Sequence, residues 1–272
     1  MVFDFFICGA AYTERVPALA KNIADVCSKN PEIKFQAWMF MDETTDNFDC
    51  VAATQSNENL SIRIQGSEQG RGKCYWFWKY ITNKEKGDYV GILDGDDQLY
   101  PQHFYNIPQE IEKGFEVGWT MHERSSGKPC FNLPIPSNLP PRSVPWLSSH
   151  FFWFKTDIYK FHKSDLMLNG AFINEACDVA IALPVIETTS KRSFLQVALY
   201  KYNDDLATNI HANMSRRSKQ RRNKEKIYAK KDSLIPRIDC DFMQKNLSRF
   251  QAEELLFYSE AIRRSKIEKN ND

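Results

Sequence analysis

The stretch that most constrains this chain is Tyr89–Pro101, YVGILDGDDQLYP. An apolar run, Tyr89-Val90-Gly91-Ile92-Leu93, follows a turn at Lys86-Gly87-Asp88 and leads straight into Asp94-Gly95-Asp96-Asp97. A short run of β-branched and aromatic residues bounded by a turn predicts a strand buried on both faces. The three carboxylates at its carboxyl end repel one another unless solvent or a cation neutralises them. Gly95 lets the backbone turn sharply and lets a bulky ligand come close. Crowded hard oxygen donors suit Mg2+ or Mn2+, held by one or two carboxylates together with substrate phosphates. The competing reading of Asp94, Asp96 and Asp97 is a solvated Asx turn after a strand.

The residues before this strand supply context. Val2–Cys8 reads as a strand ending at Gly9-Ala10-Ala11, followed by Tyr12-Thr13-Glu14-Arg15. Pro17 then sits in the first turn of a helix with Leu19, Ile23, Val26 and Cys27 on one face. Phe35–Met41 is a second strand, closing with Asp42-Glu43-Thr44-Thr45-Asp46, and Leu60–Ile64 a third, before a polar loop, Gln65–Gly72. Lys73–Thr82 reads as an aromatic helix. Strands alternating with helices predict a mostly parallel sheet with ligands beyond its carboxyl ends. The polar clusters Thr13/Glu14, Asp42/Glu43, Arg71/Lys73 and Asp94/Asp96/Asp97 all fall at that edge.

Composition narrows the partners. A net charge of +1 over 272 residues excludes a wholly basic polyanion binder, so any such preference is local. The seven cysteines, at 8, 27, 50, 74, 130, 177 and 240, form no CxxC pair. That argues against a disulfide framework or zinc site and for a reducing compartment. No apolar run reaches membrane-spanning length, and Met1-Val2-Phe3-Asp4 lacks a signal peptide's basic start. The expectation is a soluble cytoplasmic protein without integral membrane association.

After His103 the parallel alternation breaks down. A helix at Phe104–Lys113 and a strand at Phe115–Met121 precede Gly127–Pro145, which holds six prolines and reads as a linker or as an ordered loop against a site. Phe151–Phe154, within Trp146–Ile158, is continuous enough to be a buried strand. In Asn169–Glu187, Asp178 opens an apolar helical run, where a helix N-terminus favours its ionised form. Asp is also a favoured helix cap. Leu195–Tyr202 is a further strand. Nine basic residues then fall in Arg216–Lys231, opposed only by Glu225. Such a run is a solvated helix face, or it tracks the phosphates of a nucleic acid or an acidic membrane surface, although it lacks the apolar stripe of an interfacial helix. Phe242–Lys269 reads as a last helix.

The order of these motifs resembles a GT-A-fold glycosyltransferase, closest to the family 2 type. The turn Ala11–Arg15, the acidic loop Asp42–Asp46 and the strand ending in Leu93-Asp94-Gly95-Asp96-Asp97 carry the resemblance. Glu43, where that family usually has Asp, and Lys73-Cys74-Tyr75-Trp76, where small residues and Asn are common, depart from it. The resemblance implies that Asp42 and Glu43 contact the nucleotide base, and a carboxylate can accept the imide N–H of uracil. Thr13 and Glu14 help hold the nucleoside, or Thr13 only caps the first helix. Arg71 and Lys73 are candidates for the diphosphate, since a basic side chain offsets leaving-group charge, or they are plain surface. Cys177-Asp178 matches the family's acidic pair, which makes Asp178 the implied base and Glu175 its reserve. Asn209–Ser215 matches a His-x-x-Asn-x-Ser stretch, with His211 completing a metal site or touching the diphosphate.

The expectation is therefore an α/β GT-A protein, with residues 1–215 as transferase (1–101 binding nucleotide sugar, 102–215 the acceptor) and 216–272 as a basic and helical extension. Its function is metal-dependent, inverting transfer from a nucleoside diphosphate sugar, with UDP the leading nucleotide and Mn2+ or Mg2+ on Asp94, Asp96 and Asp97. The acceptor is a saccharide or glycan, or a hydroxymethylated base in DNA. The second rests on the basic run together with Tyr75–Trp78 and Phe151–Phe154, since phosphate-tracking cations and stacking aromatics make a nucleic-acid groove. Alternatives are a nucleotidyltransferase and a nucleic-acid-binding protein with a vestigial transferase fold.

Overall fold

The computed structural model describes residues 1–10, 15–42, 58–67, 71–128, 132–135, 140–143, 146, 148, 150–204 and 214–230. Strand β1 (Val2–Ala10) is followed by helix α1 (Val16–Ser28), with Pro17 in its first turn. Strands β2 (Lys34–Asp42) and β3 (Leu60–Ser67) precede helix α2 (Lys73–Ile81), and β4 (Tyr89–Asp94) follows. These four strands are parallel, in the order β3-β2-β1-β4. Strand β3 runs three residues further than the sequence predicts, because its pairing with β2 continues to Asp42↔Ser67.

Beyond β4 the sheet becomes mixed. The next elements are β5 (Gln98–Leu99), α3 (Asn106–Glu112), β6 (Val117–Arg124), β7 (Phe152–Lys155), a small hairpin of β8 (Met167–Leu168) and β9 (Ala171–Phe172), α4 (Cys177–Thr188), β10 (Arg192–Tyr202) and α5 (Met214–Tyr228). The large sheet has the order β3-β2-β1-β4-β7-β6-β10-β5, with β7 antiparallel to both neighbours. Only four peptide steps separate Asp94 from Gln98, a reach of at most about 14 Å. Yet β5 lies four strand spacings from β4, roughly 19 Å in a flat sheet. The sheet therefore curls, and Asn22 of α1 ties down the returning edge by bonding both the amide and the carbonyl of Leu99 at 2.9 Å.

Alternation along the strands splits the core in two. Phe3, Phe5 and Ile7 point to the face covered by α1 and α3, whereas Phe6 and Cys8 point to the face covered by α2 and α4. Strand β4 contributes to both, Val90 and Ile92 to one side and Leu93 to the other, and is buried throughout its middle. Most of the two aromatic stretches is core as well, with Tyr75 and Trp78 only partly buried against it. Trp76, Phe77 and Phe151 to Phe154 are each at most 5% exposed, which removes them as a stacking platform for nucleic-acid bases. Burial explains why: each lies on the inner side of a helix or strand that has neighbours on it.

Candidate active site

The acidic turn is built by β4, β1 and β10 together. The Gly95 amide donates to the carbonyl of Cys8 at 3.1 Å, and the Asp97 amide closes the turn onto the carbonyl of Asp94 at 3.1 Å. A side chain at Gly95 would begin 3.1 Å from the Cα of Gly9. This glycine thus permits a close approach to the β1 backbone.

The three aspartates have different surroundings. Asp97 is turned inward, 2% exposed, and accepts hydrogen bonds from the Tyr200 hydroxyl at 2.6 Å and the Asn203 amide at 2.8 Å. Burial, then the charges of Asp94 and Asp96, push its carboxyl well above the usual range. Asp94 and Asp96 remain partly exposed. Burial and then Asp94 raise the Asp96 carboxyl to about 6. Burial acts upward on Asp94 too, but the charges of Lys73 and then His150 outweigh it and hold that carboxyl below its ordinary value.

Lys73 reaches this turn from the start of α2, its ammonium on Oδ1 of Asp94. Gly72 before it has φ +77°, and a side chain there would collide with Asn174. Only glycine accepts both the backbone angle and the contact. A small cleft with room for about one water-sized group is lined by Lys73, Asp178, His150, Ser148 and Trp146 above Ile92 and Phe152. The Trp146 Nε1 and the Ser148 Oγ are buried there without a hydrogen-bond partner among the described residues.

Asp178 does not cap α4. The cap position is Ala176, in the left-handed conformation at φ 69°, with no side-chain hydrogen bond, and Asp178 stands in the first turn. Its carboxylate is left facing the cleft, where the helix N-terminus favours negative charge. Glu175 points elsewhere: its carboxylate lies 2.9 Å from Lys219 and 4.0 Å from Arg216, both on α5. Asn223 of α5 also donates to the Glu175 carbonyl at 3.1 Å.

His150 escapes a reading of the sequence. Strand β7 runs antiparallel to β4 with Phe152 opposite Ile92, so two residues back along β7 falls beside Asp94. Its imidazole lies flat on Tyr200, with centroids 4.8 Å apart, and on Tyr202 at 5.3 Å. The signal for it was that pairing, which the apolar runs YVGIL and FFWF allow but do not declare.

The other predicted residues are less central or lie elsewhere. Arg71 is exposed, with its guanidinium 5.5 Å over the Tyr75 ring. Asp42 ends β2 at the same sheet edge, opposite Ala10 and Ser67. The Asp42 side chain and all of Thr13, Glu14, Glu43 and His211 lie outside the described residues, as do Lys231 and the helix expected at 242–269. Among the described residues no three His, Cys, Asp or Glu side chains form a ready-made metal centre. Asp94 and Asp96 nevertheless fit a divalent cation held by two carboxylates and substrate phosphates, since a cation would relieve the repulsion that raises Asp96. No helix among the described residues is long and apolar enough to cross a membrane.

On α5, Arg216, Arg217, Lys219, Arg221, Arg222 and Lys226 are exposed. The helix is anchored at its far end, where Ile227 is buried and Arg142 donates to the Ile227 carbonyl while pairing with Glu187 at 2.6 and 2.9 Å.

This curled sheet, with an acidic turn at the end of its central strand and a carboxylate on the facing helix, defines a GT-A-like fold. No protein-family model and no curated protein matches the chain by sequence. Solved structures of glycosyltransferases do match in shape. Residues 1–349 of S. aureus TarS in complex with UDP-GlcNAc superpose with a TM-score of 0.53 at 14% identity, over 96% of this chain and 79% of that one. The same fragment with UDP gives 0.52 at 16% identity, over 91% and 72%. The mannosyltransferase PcManGT from Pyrobaculum calidifontis, in complex with GDP-Man and Mn2+, gives 0.52 at 11% identity, over 98% and 75%. At these identities the likeness establishes the fold.

Proposed function

We propose that this chain is an inverting glycosyltransferase that moves a sugar from a nucleoside diphosphate sugar to a hydroxyl acceptor. The observation that carries the reading is the acidic turn at the end of β4, where Lys73 meets Asp94, beside a cleft that Lys73, His150 and Asp178 line together. The donor diphosphate stands at the Asp94–Asp96 turn, beyond the end of β4, where ligands of open parallel sheets bind. Its base extends toward the ends of β1 and β2, where Asp42, Glu43, Thr13 and Glu14 stand in the sequence. UDP is the leading nucleotide, in line with the TarS complexes.

A divalent cation, Mn2+ or Mg2+, bound by Asp94 and Asp96 would stabilise the charge that develops on the leaving phosphate. Asp178 accepts the proton of the acceptor hydroxyl as that oxygen bonds the anomeric carbon from the face opposite the phosphate. The bond from the anomeric carbon to the phosphate oxygen breaks, and its electron pair leaves with the diphosphate. With most of the aromatic stretches in the core, a saccharide or glycan is the favoured acceptor. The exposed basic face of α5 supports a second one, DNA carrying a hydroxymethylated base. The buried thiols of Cys8, Cys27, Cys74 and Cys177, none of them in a disulfide, support a reducing compartment, and hence the cytoplasm.

The test is a thermal-shift panel of UDP, GDP and their sugars, with and without Mn2+, because a ligand that binds only the folded state raises its melting temperature. It is paired with turnover by Asp178→Asn, expected about 100-fold or more below wild type with donor affinity held. Retention of anomeric configuration in the product, or normal turnover by the variant, would remove Asp178 as base.

A further inference from the structure

We propose that Trp146 and Ser148 form the subsite for the sugar being transferred, where the indole N–H and the Ser148 hydroxyl hold one hydroxyl of its ring between them. This rests on the transferase reading given above.

Trp146, Ser148 and His150 line the small cleft together with Lys73 of α2 and Asp178 of α4. The chain is tied down on either side of the first two. Before them, Arg142 pairs with Glu187 of α4 at 2.6 and 2.9 Å. After them, the His150 carbonyl accepts from the Asn132 side chain at 2.6 Å, and the Phe151 amide donates to Oγ1 of Thr120 at 3.3 Å.

Two polar groups are left over in this frame. Ser148 is fully buried, and neither its Oγ nor the Nε1 of Trp146 has a hydrogen-bond partner among the described residues. Buried polar groups are normally paired, so two at one cleft mark a place where a ligand or a water supplies the partner. An indole N–H can only donate, whereas a serine hydroxyl both donates and accepts. The matching group must accept from Trp146, and it can give its own proton to Ser148. A sugar hydroxyl does both, and a cation does neither. A phosphate is excluded by size, since the cleft has room for about one water-sized group, and by the Asp178 carboxylate that shares it. The apolar floor of Ile92 and Phe152 suits the C–H groups of the ring that carries the hydroxyl.

Position assigns that hydroxyl to the donor. In an in-line displacement the transferred ring lies between the leaving phosphate and the acceptor. The cleft joins the same two sides, because Lys73 within it touches Asp94 of the diphosphate turn and Asp178 within it is the base for the acceptor.

The test is calorimetric titration of UDP, UDP-glucose, UDP-galactose and UDP-GlcNAc, in Mn2+, into wild type, Ser148→Ala and Trp146→Phe. For the UDP-sugar that wild type binds most tightly, the ratio of its Kd to that of UDP should rise about tenfold in each variant, with the Kd for UDP itself held within about twofold. The double variant should lose at most about threefold more than either single one, because both groups hold the same hydroxyl. One monodeoxy form of that UDP-sugar should bind wild type and Ser148→Ala alike. Trp146→Phe carries the test where Ser148→Ala does not fold, and GDP with GDP-mannose replaces the UDP series for a wild type that binds GDP instead. A ratio within about twofold of wild type in both variants would mean that the cleft holds an ordered water only. An equal loss for UDP and its sugar would move both residues to the nucleotide. Either result overturns the proposal. A wild type that binds neither UDP nor GDP would overturn the transferase reading itself, and this one with it.

Discussion

The hydroxyl of Tyr200 donates to Oδ2 of Asp97 over 2.6 Å, joining residues more than a hundred positions apart. The Tyr200 hydroxyl oxygen in turn accepts from the amide of Asp94 at 3.1 Å, so one phenol on β10 fixes both ends of the acidic turn. Asn203 adds its amide to Asp97 and its side chain to the Asp96 carbonyl. The turn that carries the candidate donor site is thus set by the far edge of the curled sheet, not by its own four residues.

Tyr200→Phe should therefore weaken the whole fold. It keeps the ring, including its stack on His150, but leaves a buried carboxylate oxygen and a backbone amide without partners. At about 1–3 kcal/mol for each unsatisfied group, the expected loss is roughly 2–6 kcal/mol. Urea denaturation of the variant measures it. A loss under about 0.5 kcal/mol would mean that water replaces the phenol and the turn is self-supporting.

Asp96 and Asp97 should separate into a site role and a structural one. Asp96→Asn removes a partly exposed carboxylate that Asp94 already repels, so stability should hold or rise slightly. UDP binding in Mn2+ should weaken about tenfold or more. Asp97→Asn places an amide between two donors, the Tyr200 hydroxyl and the Asn203 amide, and can accept from only one of them. It should cost about 1–3 kcal/mol of stability. Calorimetric titration of UDP and denaturation of both variants decide the matter, and the reverse pattern would make Asp97 the cation ligand.

How much of this was legible follows from the range of each interaction. Strand β4 and its acids were readable, because an apolar run bounded by a turn needs only local pattern. Helices α1 and α2 were readable from Pro17 and from the spacing of their buried side chains. The curl of the sheet was not, because it depends on β5 pairing with β10 across a hundred residues. For the same reason Tyr200, Asn203 and His150 carried no signal of their own. The aromatic clusters misled because a run of Phe and Trp reads alike on a core strand and on a stacking surface. Only the neighbouring strands decide which it is.

Asp4 gives a pH dependence away from the site. It is a fully buried residue of β1, accepting from Tyr80 at 2.8 Å and the Gly87 amide at 2.6 Å, and burial lifts its carboxyl to about 6. A folded value above the unfolded one means that the folded chain binds this proton more tightly. Its effect on stability therefore improves as pH falls from above 6 toward 4, and is lost as pH rises through that window. Two units correspond to about 2–3 kcal/mol at most. Asp96 acts in the same direction and Asp94 in the opposite one, so the comparison must be with Asp4→Asn. That variant should be more stable than wild type at pH 7 and lose the advantage by pH 4. A difference that does not change with pH would show that Asp4 is not the titrating group.

The exposed basic face of α5 makes the last prediction. Arg216, Arg217, Arg221 and Arg222 lie within two helical turns, and Arg221 pairs with Glu225 at 3.5 Å. Cations tracking phosphates release counterions, so the logarithm of affinity falls with the logarithm of salt by about 0.9 for each phosphate neutralised. If this face carries a DNA acceptor to the cleft, duplex binding should weaken steeply with salt. Changing the four arginines to Ala should flatten that slope by about 3 while sparing UDP affinity, because Asp94 and Asp96 lie on the sheet and not on this helix. Fluorescence anisotropy over a series of salt concentrations measures both slopes. If the wild type binds no duplex even at low salt, the basic face is a solvated surface, and the saccharide acceptor stands alone.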